Sequence, residues 1–164
     1  YLILNYCFRY LKDEQDIFVS NINYPKKGLL KFEDIIGFSK DQIPPNTKIE
    51  KAILTITNEG QGKNIKEVFI KKMLFDWHVN TNSDELVKVL ETGEHTDLEI
   101  DAVIKIGSKG TNSYEVTDTV QEWVNGEKNN GWIFSGENNK EWSFRSSEWH
   151  GKVERPMLTV IYKK

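Results

Sequence analysis

The feature that most restricts this chain is a succession of short runs that alternate apolar and polar residues or are simply apolar. Clusters of Asn, Gly, Lys and Asp separate them. Residues 2–10, 17–19, 28–32, 52–57, 68–75, 100–106, 132–134, 142–144 and 157–162 are such runs. Residues 52–57 are β-branched and alternating, and Ile100, Ala102, Ile104 and Ile106 share one parity. A period of two places every second side chain on the same face of a strand, so the pattern predicts β-structure. Many short strands with turns between them predict an all-β, jelly-roll-like sandwich of two antiparallel sheets.

Helix is scarce. Residues 117–124 place Val120 and Trp123 or Val124 at helical spacing, with Thr117 or Asp118 as cap and Gly126 as stop. Residues 84–90, with Leu86, Val87 and Leu90, make a second short candidate. Pro44-Pro45 breaks the chain ahead of the strand at Ala52. No internal repeat or low-complexity tract is present.

The 164 residues suit one domain (1–164) with a core of its own. The 22 basic and 25 acidic residues give a net charge of -3, and the lysines are scattered among acids. Nothing in that balance favours nucleic acid. No apolar stretch is long enough to insert in a membrane. The one cysteine, Cys7, cannot make an internal disulfide and reads as strand packing rather than a nucleophile. Secreted bacterial domains are often free of disulfides, so an extracellular or cell-surface location remains open. The abrupt start at Tyr1 suggests a piece of a larger protein, monomeric by itself.

Catalytic patterns are missing. His78, His95 and His150 are far apart and in no zinc spacing. Gly60-x-Gly62 and Gly107-x-x-Gly110 lack the Lys-Ser/Thr context of a phosphate loop. Carboxylates are plentiful, but nothing selects a pair for glycosidase chemistry. The expectation is therefore a non-enzyme. No cofactor is implied, although loop acids such as Asp13, Glu14, Asp16 and Asp118 could hold a structural calcium ion.

The five tryptophans are the next signal, since an indole face can stack on the apolar face of a sugar ring. Trp123, beside Val120, and Trp132, opening an apolar strand, read as core. Trp142 shares the parity of Phe144 and should point inward with it. Trp77, just after an apolar strand, reads as covering a sheet edge. Trp149 differs, because it lies in the polar loop Ser146-Ser147-Glu148-Trp149-His150-Gly151-Lys152 and reads as the best exposed aromatic. Arg145 alternates away from Phe144 and should face water. Lys71 and Lys72 interrupt an apolar strand, so at least one should project from a sheet face. Trp149, Arg145, His150, Lys71 and Lys72 are the candidate carbohydrate-binding residues, the basic ones to meet sugar carboxylates. Ordinary solvated surface is the competing reading for each. Glu148 and Arg155 read as a structural ion pair or as backbone ligands.

Several motifs occur in an order that resembles a known family. Residues 114–123 read aromatic, acidic, Val-Thr, two residues, Val-Gln, one residue, Trp. Asn130-Gly131-Trp132, Phe144-Arg145-Ser146-Ser147-Glu148 and Arg155-Pro156-Met157-Leu158-Thr159-Val160 follow. Upstream stand Asp16-Ile17-Phe18-Val19, Gly28-Leu29-Leu30-Lys31-Phe32 and a stretch from Gln42-Ile43-Pro44 to Ala52-Ile53-Leu54. Together they resemble the DNRLRE domain, an extracellular family that includes alginate-binding modules attached to polysaccharide lyases. Glu33, Glu115 and Asn46 depart from its usual Asp, Asp and Gly. The resemblance covers nearly the whole chain and implies a jelly-roll-like sandwich. The function it implies is non-catalytic binding of a polysaccharide, in particular an acidic glycan, that tethers a larger extracellular protein. The alternative is a structural or adhesive stalk without a sugar site.

Overall fold

A computed structural model of the chain describes residues 2–7, 16–19, 27–58, 67–78, 81, 88, 99–105, 109–136 and 142–163. Their strands are β1 (Leu2–Cys7), β2 (Asp16–Val19), β3 (Gly28–Leu30), β4 (Ile49–Asn58) and β5 (Glu67–Lys72). After these come β6 (Ala102–Lys105), β7 (Gly110–Glu115), β8 (Trp132–Gly136), β9 (Trp142–Arg145) and β10 (Met157–Tyr162). Helix α1 (Thr117–Val124) and a 3-10 turn at Lys152–Glu154 complete the list.

The strands form two sheets in which every ladder is antiparallel. The six-stranded sheet runs β1-β10-β4-β9-β2, with β7 also on β4. β4 is long enough to serve three neighbours. Residues 49–55 pair with β10, residues 53–58 pair with β7, and Asn58 meets Phe144 of β9. The second sheet runs β3-β8-β5-β6. The protein is an all-β sandwich, as the alternating runs predict.

The core lies between the inner faces. Ala52, Leu54 and Ile56 of β4 and Leu158, Val160 and Tyr162 of β10 face Leu30, Val68, Ile70, Ile104 and Phe134 of the other sheet, all buried. Aromatics link the layers: the Phe134 and Phe144 rings are 4.6 Å apart, and Trp142 lies 5.2 Å from Phe144. Trp123 on α1 meets Trp132 of β8 at 4.7 Å, and Phe32 meets the same indole edge-on at 6.2 Å. Trp123, Trp132 and Trp142 are thus core residues, as their parity and neighbours predict. Centroid separations of this size are those of favourable aromatic pairs.

The helix falls where its spacing predicts, but its cap differs. Val116 occupies the N-cap and makes no side-chain cap bond. The Thr117 hydroxyl is used elsewhere: it accepts the Ala52 N–H at 3.1 Å and donates to Glu115 Oε1 at 3.0 Å. It ties the helix start to β4 instead of capping it. Gly126, at φ +111, ends the helix as expected. The candidate helix at 84–90 lies, apart from Lys88, outside the described residues.

Other boundaries shift for tertiary reasons. The run 68–75 ends as a strand at Lys72, because the chain then turns across the outer face of the four-stranded sheet. Met73, Trp77 and Ile133 form a small buried cluster there, with Leu29 and Phe75 against it. Trp77 donates its indole N–H to the Asn130 carbonyl at 2.8 Å, and Lys31 donates to the Trp77 carbonyl at 3.2 Å. Gly131 makes the approach possible. Its φ is +73, and a Cβ would lie 2.2 Å from the Leu30 carbonyl oxygen. Ile100 precedes β6 and is 46% exposed, so the shared parity of 100–106 does not extend the core that far.

β7 is the strand missing from the sequence expectations. Its residues, Gly-Thr-Asn-Ser-Tyr-Glu, alternate half-buried with exposed and contain no aliphatic side chain. Thr111 and Ser113 hydrogen-bond across to Thr57 and Thr55 at 2.9 and 3.0 Å. Polar cross-strand pairs therefore support this strand without an apolar signal.

Candidate functional site

The five candidate binding residues occupy two places. Arg145, Trp149 and His150 come together at and after the end of β9 in the six-stranded sheet. Lys71 and Lys72 close β5 in the other sheet.

At the first place the network is closed on itself. The Arg145 guanidinium carbon lies 3.3 Å from the Trp149 ring centroid. The Trp149 indole N–H donates to Glu154 Oε2, and Arg145 Nε lies 3.9 Å from the same oxygen. Arg155 Nε donates to the Trp149 carbonyl at 2.7 Å, and the Ser146 hydroxyl accepts the Glu148 N–H at 3.0 Å. The expectation of an exposed Trp149 is corrected: it is half-buried, with one face under Arg145 and its N–H engaged. His150, 4.2 Å from it between ring centroids, is exposed. Arg155 binds backbone, which matches one of the two structural roles anticipated for it.

The two lysines part company. Lys72 has the parity of Val68 and Ile70 and is only 7% exposed. Its ammonium sits 2.5 Å from Glu122 of α1 and 3.1 Å from Glu127 beyond it. These two carboxylates commit the Lys72 charge, and of the two lysines expected to put at least one side chain on a sheet face it is Lys71 that does so. Lys71 is half-buried with the opposite parity, and no ion-pair partner for it occurs among the described residues.

Around Lys71 the ladders define a small face. Lys71 lies opposite Ile133, which lies opposite Leu29; Phe69 lies between Ser135 and Val103. Phe69, Ser135 and Val103 are half-buried and share the outward parity. Lys27, one residue before β3, continues that parity next to Ser135. Its ammonium is pushed below the ordinary lysine value, first by burial and then by the positive charge of Lys71. An aromatic ring, a hydroxyl and two mutually repelling cations thus share the outer face. Lys27, Phe69 and Ser135 were not singled out in the sequence. Phe69 carried a usable signal, because the parity that puts Lys71 outward puts Phe69 there too.

A cleft of about 260 Å³ lies between the start of α1 and the chain entering β6. Its lining includes Glu99, Asp101, Glu115, Asp118, Glu122 and the committed Lys72. Asp101 is its best-fixed member. Oδ2 accepts the Trp132 indole N–H at 2.6 Å and the Thr119 hydroxyl at 2.7 Å. Burial raises its carboxyl above the usual value in spite of those bonds. No group of three or more His, Cys, Asp or Glu arranged to hold a metal occurs among the described residues. Of the calcium candidates, Asp118 is exposed on α1, whereas Asp13 and Glu14 lie outside the described residues.

No protein-family model matches the chain, and no curated protein matches it.

Proposed function

We propose that this domain binds a polysaccharide without catalysis, that the glycan is acidic, and that the outer face of the four-stranded sheet receives it. The observation that carries this reading is the placement of Lys71. It projects beside Phe69 and Ser135 without an ion-pair partner among the described residues, and its charge bears on Lys27. An anion on this face can pair with Lys71 and so lessen the positive charge that bears on Lys27. A sugar carboxylate would do so while the ring lies against Phe69. The sheet is rigid, so an extended polymer could bind with little ordering cost to the protein.

The reading agrees with the DNRLRE resemblance, under which the domain would be extracellular or at the cell surface. It would tether covalently linked neighbouring domains to their substrate. An exposed ion pair contributes only about 0–1 kcal/mol, so useful affinity requires several sugar units along the face or several copies of the module. Titration with oligogalacturonate and with neutral oligosaccharides at low and high salt tests it. Binding that favours the acidic chain and weakens with salt is expected. Absence of binding to every glycan would leave the stalk as the reading.

A further inference from the structure

Phe38 is 90% exposed, at the tip of the loop that joins β3 to β4. Single half-exposed aliphatic residues such as Leu74 are ordinary on protein surfaces. A phenyl ring left almost wholly in water is less so, and this one is held by a rigid support. Ile35 and Ile43, both in the core, anchor the two limbs of the loop. Ile43 donates its N–H to the Ile35 carbonyl at 2.8 Å, and Gly37 donates to the Ile43 carbonyl at 3.0 Å. Gln42 clamps the tip. Its N–H reaches the Ser39 carbonyl at 3.1 Å, its side-chain oxygen accepts the Ser39 N–H at 3.1 Å, and its side-chain NH₂ donates to the Asp34 carbonyl at 2.9 Å. The ordering entropy of the tip is therefore already spent in the free protein, as in a pre-organised recognition loop.

The surroundings of the ring select its occupant. Ser39, Lys40 and Asp41 follow Phe38 and are exposed, as are Glu33 and Asp34. A stable protein interface needs roughly 800 Å² on each partner with an apolar centre, and one ring among polar side chains does not supply it. Glu33, Asp34 and Asp41 outnumber Lys40, so the loop repels anionic lipid and acidic sugar alike. A single neutral pyranose fits: it presents C–H groups to the ring and hydroxyls to a flanking Lys and Asp.

We propose that Phe38 is the stacking platform of a second carbohydrate contact, specific for a neutral sugar unit and separate from the Lys71 face. This inference rests on the domain being a glycan binder. It predicts a contribution that salt does not screen.

The test uses the whole domain and its Phe38→Ala, Phe38→Trp and Lys71→Ala variants. They are titrated with cellohexaose, xylohexaose, mannohexaose and hexagalacturonate in about 0.01 M and about 1 M salt. The inference expects a neutral hexaose to bind the parent and to bind Phe38→Ala about three- to ten-fold more weakly, equally at both salts. Phe38→Trp should bind like the parent, and all variants should melt with it. Unchanged affinity in Phe38→Ala, or a loss confined to low salt, overturns the inference. So does failure of every neutral hexaose, while hexagalacturonate binding that depends on Lys71 would leave the acidic-glycan reading standing. Phe38-dependent binding of a neutral hexaose with none of hexagalacturonate supports the inference and removes the acidic-glycan reading. If no probe binds, both fall.

Discussion

The Arg145 guanidinium covers one face of the Trp149 indole, at 3.3 Å from carbon to ring centroid. With the indole N–H on Glu154 and Arg155 on the Trp149 carbonyl, this stack closes the loop between β9 and β10. Trp149 therefore contributes to stability, although its place in a polar loop predicts an exposed ring. Trp149→Ala should cost about 1–3 kcal/mol, from the cation–π contact and the lost hydrogen bond. Urea denaturation measures it. A variant as stable as the parent would show that the stack contributes nothing.

Adjacent lysines should behave differently in glycan binding. Lys71→Met should weaken binding to oligogalacturonate and flatten its salt dependence. Lys72→Met should leave binding unchanged, because Glu122 and Glu127 already neutralise Lys72. It should also lower stability, because it removes the one cation that holds the Glu122 and Glu127 carboxylates together and leaves them to repel each other. Calorimetric titration of both variants decides between the two faces. Equal losses would contradict the assignment.

Trp132 joins packing to a polar contact, and two substitutions separate them. Trp132→Ala should cost about 3–5 kcal/mol through the cavity it leaves. Trp132→Phe retains much of the ring contact with Trp123 and Phe32 but removes the donor to Asp101. It should cost a smaller amount, about 1–3 kcal/mol, as a partly buried acceptor loses one of its partners. Denaturant midpoints of the two variants give the order.

Asp101 sets a pH dependence of defined sign. Burial raises its folded-state carboxyl above the ordinary 3.8. Between 3.8 and that higher folded value, the folded state holds more protons than the unfolded state. Its contribution is fully present below 3.8 and is lost as pH rises through the folded value. Asp101→Asn retains an acceptor oxygen for Trp132 and Thr119 but cannot ionise. Relative to the parent, its stability should therefore gain as pH rises through that window. Thermal melts across mildly acidic pH test this, and a constant difference between the two proteins would refute it.

What the sequence determined by itself was set by periodicity. Parity alone placed Trp142 with Phe144 inside, the strands around Leu54, Ile70 and Val160 emerged because one of their faces is apolar, and the strand at Phe134 emerged because its run is apolar on both. Helix α1 was legible for the same reason at a different period. β7 was not, because its support is a cross-strand ladder of hydroxyls supplied by β4. Tertiary structure also decided the fate of the candidate site. Lys72 finds its carboxylates about fifty residues further on, once α1 packs beside β5. Trp149 is covered because the strand end and the 3-10 turn bring Arg145 and Glu154 to it. Lys27, Phe69 and Ser135 become neighbours of Lys71 only through the β3-β8-β5 register. A local pattern records which face a side chain takes within its own strand. Its neighbours on that face come from other strands, and only the pairing of the sheets supplies them.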